Sequence, residues 1–367
     1  MSSGVADAAA GPLREALAHA DRLLLVRLRS LGDSILTLPL IQALHDWRRD
    51  LQLHVLVEAP FAPVFEEHPA VHKTLILRTR ECPAGWSKAR AALEILKHRY
   101  PAVLNLHGGP TSLILTLASL SPVRIGQTSF RNAGAYNVHI PPSGRVWMRP
   151  DLHTVEHQLT IMRWLGLPMA AGCGPGLFVR ASARAAIEAR LTAAGIAPGA
   201  YIQIHPTAML PTKAWSAENF ASLGDTLSVE YHRPVIFTAG PSESRVLEQV
   251  QSCARVSHTY WADLKLEELF ALIAGCRLFV GNDSGPTHAA AALRKPVVVV
   301  WGSSNYVAWR PWETRYELVR SDLPCIPCPG YVCAEYGDSR CIGRIPVEAV
   351  AEACRRMLEP EAVEAAP

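Results

Sequence analysis

The residues of this chain with the clearest chemical potential lie in the segment D-S-G-P-T-H, residues 283–288. An apolar run at 278–280 precedes this segment, and an alanine-rich stretch and a second apolar run at 297–300 follow it. This order predicts a strand, a turn, a helix and a second strand, and continuous apolar runs are typical of a parallel sheet covered on both faces. The free amides after Ser284 would form the positive end of the helix at the carboxyl edge of the sheet, which favours an anion.

Asp283 distinguishes this segment from a simple phosphate-binding helix end. A carboxylate repels a bound diphosphate, so its charge must be compensated, most simply by hydrogen bonds from sugar hydroxyls. His288, one turn into the helix, could donate a hydrogen bond to a phosphate or to a leaving oxygen. Asp283 or Ser284 could instead only cap the helix, with His288 packed in the core. The combination of these residue types between two buried strands favours the ligand site.

The pattern D-S-G-x-x-H-x-A-A-A-L-x-K-P-V-V-V-V-W-G, which begins at Asp283, resembles a signature of glycosyltransferase family nine, the ADP-heptose:lipopolysaccharide heptosyltransferases. The resemblance implies a GT-B fold, in which two Rossmann-like domains with doubly wound parallel sheets face each other across a cleft. It implies that the C-terminal half binds a nucleotide-diphospho-sugar donor, with Ser284 and Gly285 at the helix end. It also implies a lipopolysaccharide core acceptor, carried on lipid A at the inner membrane surface.

A second signature of the same family, R-x-x-S-x-G-D-x-x-x-x-x-P, is present near the amino end, where it begins at Arg27. It follows an apolar run at 23–26 and precedes apolar residues at helical spacing, so it predicts the first strand-to-helix loop. In the family, the aspartate of this signature is assigned as the base that deprotonates the acceptor hydroxyl. The resemblance therefore implies that Asp33 is the base. Its alternative role is to cap the helix that follows, which is the commonest use of aspartate at such a position.

Two further loops of the C-terminal half carry polar residues that the resemblance places at the donor. Thr207 and Lys213 would hold the diphosphate, since the family has a polar residue and then a cation just before a tryptophan, here Trp215. Glu243 follows another predicted strand, where family members carry a glutamate that binds ribose hydroxyls. Lys213 could instead be a solvated lysine before a helix, and Glu243 is equally placed to complement a helix N-terminus.

Size and composition restrict the class of protein. The chain has 367 residues and a mass of 40.0 kDa, a length that favours two domains. Hydrophobic residues make up 49% and charged residues 19%, as in ordinary globular proteins, and the net charge of +3 does not suggest nucleic-acid binding. No apolar run approaches the ~20 residues of a membrane span, and the first 20 residues lack the apolar core of a signal peptide. We therefore expect a cytoplasmic protein, or one attached peripherally to the inner membrane.

Alternation of strand and helix patterns predicts a doubly wound α/β fold in each half. The predicted domains are a flexible N-terminal tail or loose helix (1–20), an acceptor-side Rossmann-like domain (21–170), a linker (171–177), a donor-binding Rossmann-like domain (178–345), a C-terminal helix (346–358) and a disordered tail (359–367). In GT-B proteins the closing helix would pack back toward the first domain. The predicted strands are 23–26, 53–57, 74–77, 102–106, 124–126, 201–205, 235–238, 278–280 and 297–300. The main predicted helices are 86–98, 112–120, 153–165, 181–194, 217–230, 242–251, 266–274 and 347–358.

Metal and cofactor patterns are weaker. Four cysteines near the C-terminus include a C-x-x-C pair, a metal-like spacing in a cytoplasmic chain, but a structural loop of reduced thiols is favoured: Cys325, Cys328, Cys333 and Cys341. No D-x-D pair lies at a predicted strand end, so we expect no obligatory metal or cofactor beyond the ADP-heptose substrate. No G-x-G-x-x-G follows either first strand, which argues against a dehydrogenase. Scattered arginines could form an acceptor-side basic face, although a solvated surface is the commoner role: Arg131, Arg145 and Arg149.

The sequence thus predicts an inverting heptosyltransferase that needs no metal and excludes water from its cleft. One alternative keeps the enzyme class but changes the nucleotide sugar or uses a protein acceptor. Another is a non-catalytic sugar-nucleotide-binding protein, and a third is a sugar-nucleotide epimerase of similar fold. Neither the nucleotide base, the sugar, the acceptor hydroxyl nor the oligomeric state can be inferred from these motifs.

Overall fold

The computed structural model describes residues 4–79, 84–169, 176–328 and 330–359. The chain divides into two compact units between Phe178 and Val179. Most of the predicted linker at 171–177 lies outside the described residues, as do residues 360–367 of the predicted C-terminal tail.

The described part of the first unit contains one six-stranded parallel sheet with helices between its strands. Its strands are β1 Arg22–Val26, β2 Gln52–Glu58, β3 Lys73–Leu77, β4 Ala102–Asn105, β5 Val123–Gln127 and β6 Val138–Ile140. Its helices are α1 Gly4–His19, α2 Leu31–Ile35, α3 Leu38–Trp47, α4 Ala84–Lys97, α5 Pro110–Ala118, α6 Ser143–Trp147 and α7 Thr154–Trp164. Short 3-10 turns occupy Ala59–Val64 and Ala133–Ala135.

The sheet of the first unit has the strand order β3-β2-β1-β4-β5-β6, and every recorded pair is parallel. The central strands are buried along almost their whole length, because their side chains are apolar on both faces. This is the doubly wound order, in which the progression of strands across the sheet reverses between β1 and β4. The loops that follow these two strands therefore lie side by side at the carboxyl edge, and the loop after β1 leads into the first turn of α2, which carries Asp33.

Residues 4–19 of the N-terminal segment, which was predicted to be a flexible tail or a loose helix, form helix α1. Leu13 and Leu17, four residues apart on one helical face, are buried. The guanidinium of Arg48 donates hydrogen bonds of 2.8–2.9 Å to the backbone carbonyls of Leu17, Ala18 and Ala20. These contacts satisfy carbonyls that a helix end leaves without intrahelical partners, so α1 is part of the folded unit.

Across its described residues, the second unit repeats the architecture with a second six-stranded parallel sheet. Its strands are β7 Ile202–His205, β8 Val235–Thr238, β9 Thr259–Trp261, β10 Leu278–Asn282, β11 Val297–Trp301 and β12 Tyr316–Arg320. Its helices are α8 Ala181–Ala193, α9 Ala217–Tyr231, α10 Ser244–Cys253, α11 Leu266–Gly275, α12 Gly285–Ala292, α13 Tyr306–Trp309, α14 Arg340–Gly343 and α15 Val347–Leu358. Short 3-10 turns occupy Pro211–Lys213 and Pro241–Glu243.

The second sheet has the order β12-β11-β10-β7-β8-β9, which is the same doubly wound order with the switch point between β7 and β10. All five residues of β10 and of β11 are buried, as their continuous apolar runs predict. The prediction of an α/β fold with two Rossmann-like parallel sheets is confirmed.

The closing helix α15 packs into the core of the second unit. Its buried side chains, Val350, Ala353, Cys354 and Met357, join the apolar cluster formed by α9 and the strands β10 and β11. The apolar face of α15 is used within its own unit, where it covers one side of the sheet.

Three short strands, β6, β9 and β12, are absent from the predicted set. They are only partly buried, with the patterns ieB, iii and iiiie, and so lack the continuous apolar runs that identify the central strands. None of the described helices combines the length and the hydropathy that crossing a bilayer requires.

Candidate functional site

The predicted donor residues lie together at the carboxyl edge of the second sheet. Thr207 and Lys213 follow β7, Glu243 follows β8, and Asp283 follows β10. Parallel strands place all of these loops at one edge, and the strand order puts β7 and β10 side by side at the switch point. Ligands of doubly wound folds bind in this position.

Asp283 is the central charged group of this edge. Its side chain is only 4% exposed, and its Oδ2 accepts hydrogen bonds from Lys213 Nζ at 2.7 Å and from Ser304 Oγ at 2.5 Å. A buried carboxylate is costly unless a cation and further donors compensate it. The protein itself therefore supplies the compensation that the sequence analysis expected mainly from sugar hydroxyls. The Oδ1 atom faces His288 Nε2 at 3.9 Å, which is beyond hydrogen-bond distance.

Lys213 is held by a close approach between two loops. The backbone carbonyl of Thr212 accepts a hydrogen bond from the amide of Ser303, and the two hydroxyls of these residues are 2.9 Å apart. A Cβ atom at Gly302 would lie 2.3 Å from the Thr212 carbonyl oxygen, so only glycine permits this approach. The W-G pair at the end of β11 thereby places Ser304 and Lys213 on the same carboxylate.

Asn282, which the sequence analysis did not single out, connects β10 to the loop after β7. Its side chain is fully buried, donating to the Pro206 carbonyl at 2.9 Å and accepting from the Trp215 amide at 3.2 Å. Both ends of the loop that carries Thr207 and Lys213 are thus attached to one amide side chain. A polar residue at the last position of an apolar buried strand is the signal that could have identified it.

Helix α12 begins at Gly285, with Ser284 in the N-cap position. Within the described residues the Ser284 side chain makes no capping hydrogen bond, and the Asp283 carboxylate is directed to Lys213 and Ser304 instead. The alternative in which these residues only cap the helix therefore does not describe the geometry. Thr287 donates to the Asn282 carbonyl at 2.5 Å, and the His288 ring is buried 6.3 Å from the Trp309 ring.

A chain of buried polar side chains leads to Glu243. Gln203 donates to Thr238 Oγ1 at 3.1 Å, and Thr238 lies 3.1 Å from His205 Nδ1. On the other side of the ring, His205 Nε2 lies 2.9 Å from Thr207 Oγ1, and Thr207 donates to Glu243 Oε2 at 2.9 Å. His205 was missed by sequence reasoning because a histidine inside a strand most often reflects packing.

The carboxylate of Glu243 sets the direction of this chain. It can only accept, so the single hydroxyl hydrogen of Thr207 is given to Glu243, and Thr207 must accept from His205 Nε2–H. His205 Nδ1 then accepts from Thr238. This arrangement requires a neutral ring, and burial lowers the pKa of His205 to about 4, with the nearby Glu243 opposing the shift. The Thr207 side chain thus orients Glu243, which also accepts from the Gly240 amide.

Asp33 of the first unit accepts hydrogen bonds at Oδ2 from the Ser30 amide at 3.3 Å and the Ser30 hydroxyl at 3.2 Å. The residue therefore takes part in the capping contacts that were its alternative role. Its Oδ1 lies 3.6 Å from Arg27 Nη1, and the carboxylate remains 28% exposed. It is thus fixed in orientation and still accessible.

Arg27, which also belongs to the family signature, is a buried cation next to Asp33. Burial lowers the pKa of its guanidinium, and the charge of Asp33 opposes that shift. In the described part of the chain, Arg27 Nε has no hydrogen-bond partner. His107, at the carboxyl end of the neighbouring strand β4, has its pKa lowered chiefly by burial and also by the charges of Arg27 and Arg29. Two carboxylates balance these arginines, since Asp33 lies 3.6 Å from Arg27 and Glu58 lies 3.6 Å from Arg29.

The four C-terminal cysteines surround a small cavity of about 190 Å³, beside Thr212 and Ser303. Among the described residues, no group of histidine, cysteine or acidic side chains has an arrangement that could hold a metal ion. Of the arginines proposed for a basic face, Arg131 and Arg145 are exposed, and Arg149 forms an ion pair with Glu156.

Comparisons with known proteins identify relatives along most of the chain. Residues 89–337 match the model of the family described as Glycosyltransferase family 9 (heptosyltransferase). Lipopolysaccharide heptosyltransferase 3 of Escherichia coli (strain K12) is 26% identical over 341 residues, which cover 83% of this chain and 94% of that protein.

Solved structures share the fold. The crystal structure of the glycosyl transferase family 9 from Veillonella parvula DSM 2008 has a TM-score of 0.82 at 20% identity, covering 92% of this chain and 97% of that one. The E. coli heptosyltransferase WaaC with ADP-2-deoxy-2-fluoro heptose has a TM-score of 0.69 at 20% identity, covering 91% of this chain and 99% of that one. These similarities identify the GT-B fold.

The direction of the hydrogen bonds between Thr238, His205 and Thr207 predicts the protonation state and tautomer of the His205 ring. We expect nitrogen NMR shifts of its ring to report a neutral imidazole protonated at Nε2, from pH 7 down to pH values near 4. The variant His205→Gln identifies the resonance by its loss. A ring protonated at Nδ1, or one that titrates near its ordinary value, contradicts the proposed chain.

The lowered pKa of His205 also predicts how the stability of the folded protein depends on pH. The unfolded imidazole takes up a proton near pH 6.5 and the folded one only near pH 4. The contribution of His205 to stability is therefore complete above pH 6.5 and decreases as the pH falls toward 4, by about 1.4 kcal/mol per pH unit. In urea unfolding, His205→Gln should show a shallower loss of stability over this range than the wild type.

Proposed function

The chain belongs to glycosyltransferase family 9, and from this membership we propose that it transfers a heptose from ADP-heptose to the inner core of a lipopolysaccharide, with inversion at the anomeric carbon. The names of its relatives support the reaction, since they are lipopolysaccharide heptosyltransferases, and one related structure contains an ADP-heptose analogue. The observation that carries the proposal is the Lys213–Asp283 pair beside the start of α12. It combines positive groups suited to a diphosphate with a carboxylate suited to hydroxyls.

The donor site is proposed to act chiefly on the leaving group. Negative charge grows on the diphosphate as its bond to the anomeric carbon breaks, and the amides at the start of α12 and the Lys213 ammonium stabilise that charge. His288 would donate to a phosphate or to the leaving oxygen. Because these groups supply the positive charge, we propose that no metal ion or other cofactor is required.

The sugars of the donor are proposed to be held by the two carboxylates. Glu243 would accept hydrogen bonds from the ribose hydroxyls, since the chain through Thr207 and His205 holds its orientation. Asp283 would accept from hydroxyls of the transferred sugar through Oδ1, because Oδ2 is already bound to Lys213 and Ser304. Orientation of the donor by fixed groups is worth a large part of the rate enhancement.

Asp33 is proposed as the general base. It removes the proton of the acceptor hydroxyl as the oxygen forms its bond to the anomeric carbon and the bond to the diphosphate breaks. A single displacement of this kind inverts the configuration of that carbon. The fixed orientation and partial exposure of Asp33 support this role.

The acceptor is proposed to be the core oligosaccharide on lipid A, and the protein is proposed to act on the cytoplasmic side of the inner membrane. The acceptor's core sugars carry the nucleophile, and its lipid keeps them at the bilayer surface. Peripheral attachment of the enzyme would therefore raise its encounter rate with the acceptor.

The C-terminal cysteines are proposed to form a structural loop rather than a metal site. Burial raises the pKa of the Cys341 thiol, with the neighbouring Cys325 and Cys333 adding to the shift. The neutral form of the Cys341 thiol is therefore favoured, as expected in a loop of reduced cysteines. We also propose the domain roles that the sequence predicts, in which residues 178–345 bind the donor and residues 21–170 form the acceptor side.

The cysteine proposal is tested by elemental analysis of the purified protein. We expect no stoichiometric zinc or iron, and no change of melting temperature on addition of a chelator. One metal ion per chain, together with destabilisation by the chelator, would show that the loop is a metal site.

The donor proposal predicts that Lys213→Ala weakens ADP binding. Charge-assisted hydrogen bonds suggest a loss of roughly 1.5–3 kcal/mol, which calorimetric titration with ADP would measure. Lys213→Ala also leaves the Asp283 carboxylate without its cation, so the variant should melt at a lower temperature. Asp283→Ala should weaken binding of ADP-heptose more than binding of ADP.

A double variant separates the two roles of Lys213. In an Asp283→Asn background, removal of Lys213 should cost little stability, because no buried carboxylate is left uncompensated. The loss of ADP affinity should persist in that background if Lys213 contacts the diphosphate. Unchanged ADP affinity there would limit Lys213 to compensating Asp283.

The catalytic proposal predicts that Asp33→Asn lowers turnover of ADP-heptose with its acceptor by about two to four orders of magnitude. Donor affinity should be nearly unchanged, because the donor residues lie in the other unit. Release of ADP in the presence of acceptor measures turnover, and calorimetry measures donor binding. Replacement of Asp33 also removes the partner of the buried Arg27, so melting temperatures must accompany the kinetics.

Ser30→Ala is the matched control for capping. It removes one hydrogen bond to Asp33 and leaves the carboxylate and Arg27 in place. We expect a small change in stability and near-normal turnover. If Asp33→Asn also turns over normally, Asp33 is only a cap, and if wild-type protein binds ADP-heptose without transferring it, the enzymatic proposal itself is wrong.

A further inference from the structure

Exposed apolar side chains are concentrated on two neighbouring helices of the first unit. Thirteen large hydrophobic residues are exposed among those described, and six of them lie on α4, on α5 or two residues after α5. Isolated exposed apolar residues are normal on protein surfaces, whereas a concentration of this kind marks an interaction site. The six are Trp86, Leu93, Leu96, Ile114, Leu117 and Leu120.

The two helices that carry these residues, α4 and α5, pack against each other. A groove of about 810 Å³ lies between the carboxyl ends of the two helices, and Leu93, Leu96 and Leu120 all line it. Leu93 is 61% exposed and Leu120 is 76% exposed, which makes them the most prominent apolar groups of the groove. We call the groove and the exposed faces of α4 and α5 the α4/α5 surface.

Basic residues lie on the α4 side of this surface, and Lys97 and Arg99 line the groove itself. Helix α4 carries Lys88, Arg90 and Lys97, and Arg99 follows it, whereas Glu94 is its only carboxylate within the described residues. Glu94 is already paired with Lys73 at 3.0 Å and approached by Lys97 at 3.6 Å. Helix α5 has no charged residue along its sequence PTSLILTLA. The α4/α5 surface is therefore apolar at its centre and cationic at its rim.

We propose that the α4/α5 surface docks the protein on an anionic phospholipid bilayer. Leucine and isoleucine side chains would enter the boundary between headgroups and acyl chains, and Arg90, Lys97 and Arg99 would contact lipid phosphates. The charge pattern favours this partner, since a bilayer presents negative groups at its surface and apolar chains beneath them. The inference rests on the proposed function only in expecting a lipid-anchored acceptor.

The experiment measures co-sedimentation of the full-length protein with vesicles. Wild-type protein should bind vesicles of phosphatidylethanolamine and phosphatidylglycerol, bind pure phosphatidylcholine at least tenfold more weakly, and be released by salt. The double variant Leu93→Gln/Leu120→Asn should bind the anionic vesicles at least tenfold more weakly, and so should Arg90→Gln/Lys97→Gln. Asparagine suits position 120 because Leu120 has a φ of +52°.

Matched controls come from exposed residues of the second unit, Val229→Gln on α9 and Arg184→Gln on α8. We expect both to bind vesicles like the wild type, and all variants to bind ADP normally. The vesicles contain neither donor nor acceptor, so failure of docking and failure of the proposed reaction are distinguished.

Either of two results would overturn the inference: wild-type protein that stays in solution with anionic vesicles, or binding that the α4/α5 variants do not change. Analytical ultracentrifugation tests whether a second copy of the chain covers the α4/α5 surface instead. A wild-type dimer that these variants convert to monomers, without vesicle binding, would assign the surface to a second copy of the chain.

Discussion

The buried carboxylate of Asp283 is the group on which the loop arrangement of the second unit depends. It lies at the end of β10, its cation Lys213 follows β7, and its hydroxyl partner Ser304 follows β11. A carboxylate in this position is tolerated only if both partners remain in place, so the charge ties three loops together. The close approach of Gly302 to Thr212 brings the loops after β11 and β7 together, which the contact of Ser304 and Lys213 with Asp283 requires. Electrostatic compensation and backbone packing thus position the same cation.

A second constraint comes from the buried polar groups of β7 and β8. Gln203, Thr238 and His205 are buried, and buried polar side chains need hydrogen-bond partners. Their only consistent arrangement ends on Glu243, through Thr207. An ion pair therefore orients one carboxylate of the edge, and a chain of neutral groups orients the other. The two carboxylates differ accordingly in how they can bind a ligand, since Asp283 is paired with Lys213 whereas Glu243 forms no ion pair among the described residues.

The first unit has the same sheet topology, but the buried charge at its switch point is a cation rather than a carboxylate. Arg27 is nearly excluded from water, and Asp33 is its ion-pair partner at the switch point. The capping contacts with Ser30 and the ion pair with Arg27 both fix the carboxylate, so structural and catalytic roles of Asp33 are compatible. The apolar surface of α4 and α5 belongs to this unit as well, which places the lipid-facing and the acceptor-side proposals on one folding unit.

Much of the fold could be predicted because its central strands are apolar on both faces. The runs at 278–280 and 297–300 correspond to β10 and β11, and the turn residues between them correspond to the start of α12. The short edge strands β6, β9 and β12 could not be predicted, since they are only partly buried. The sequence left helix α1 open between a tail and a loose helix, because its two buried leucines, Leu13 and Leu17, form too short an apolar pattern.

The sequence by itself determined that Asp283, Lys213, Thr207 and Glu243 follow predicted strands, and the family resemblance assigned them to one donor site. Their position after a strand needs only local order, and parallel strands bring their carboxyl ends together. The tertiary structure alone decided which hydrogen-bond and ion-pair partners these side chains have. Thr207 donates a hydrogen bond to Glu243, and Ser304 donates one to Asp283. Asn282 and His205 connect the loops through further hydrogen bonds. Such pairings join residues up to 76 positions apart and depend on side-chain distances, which residue types and spacing do not specify.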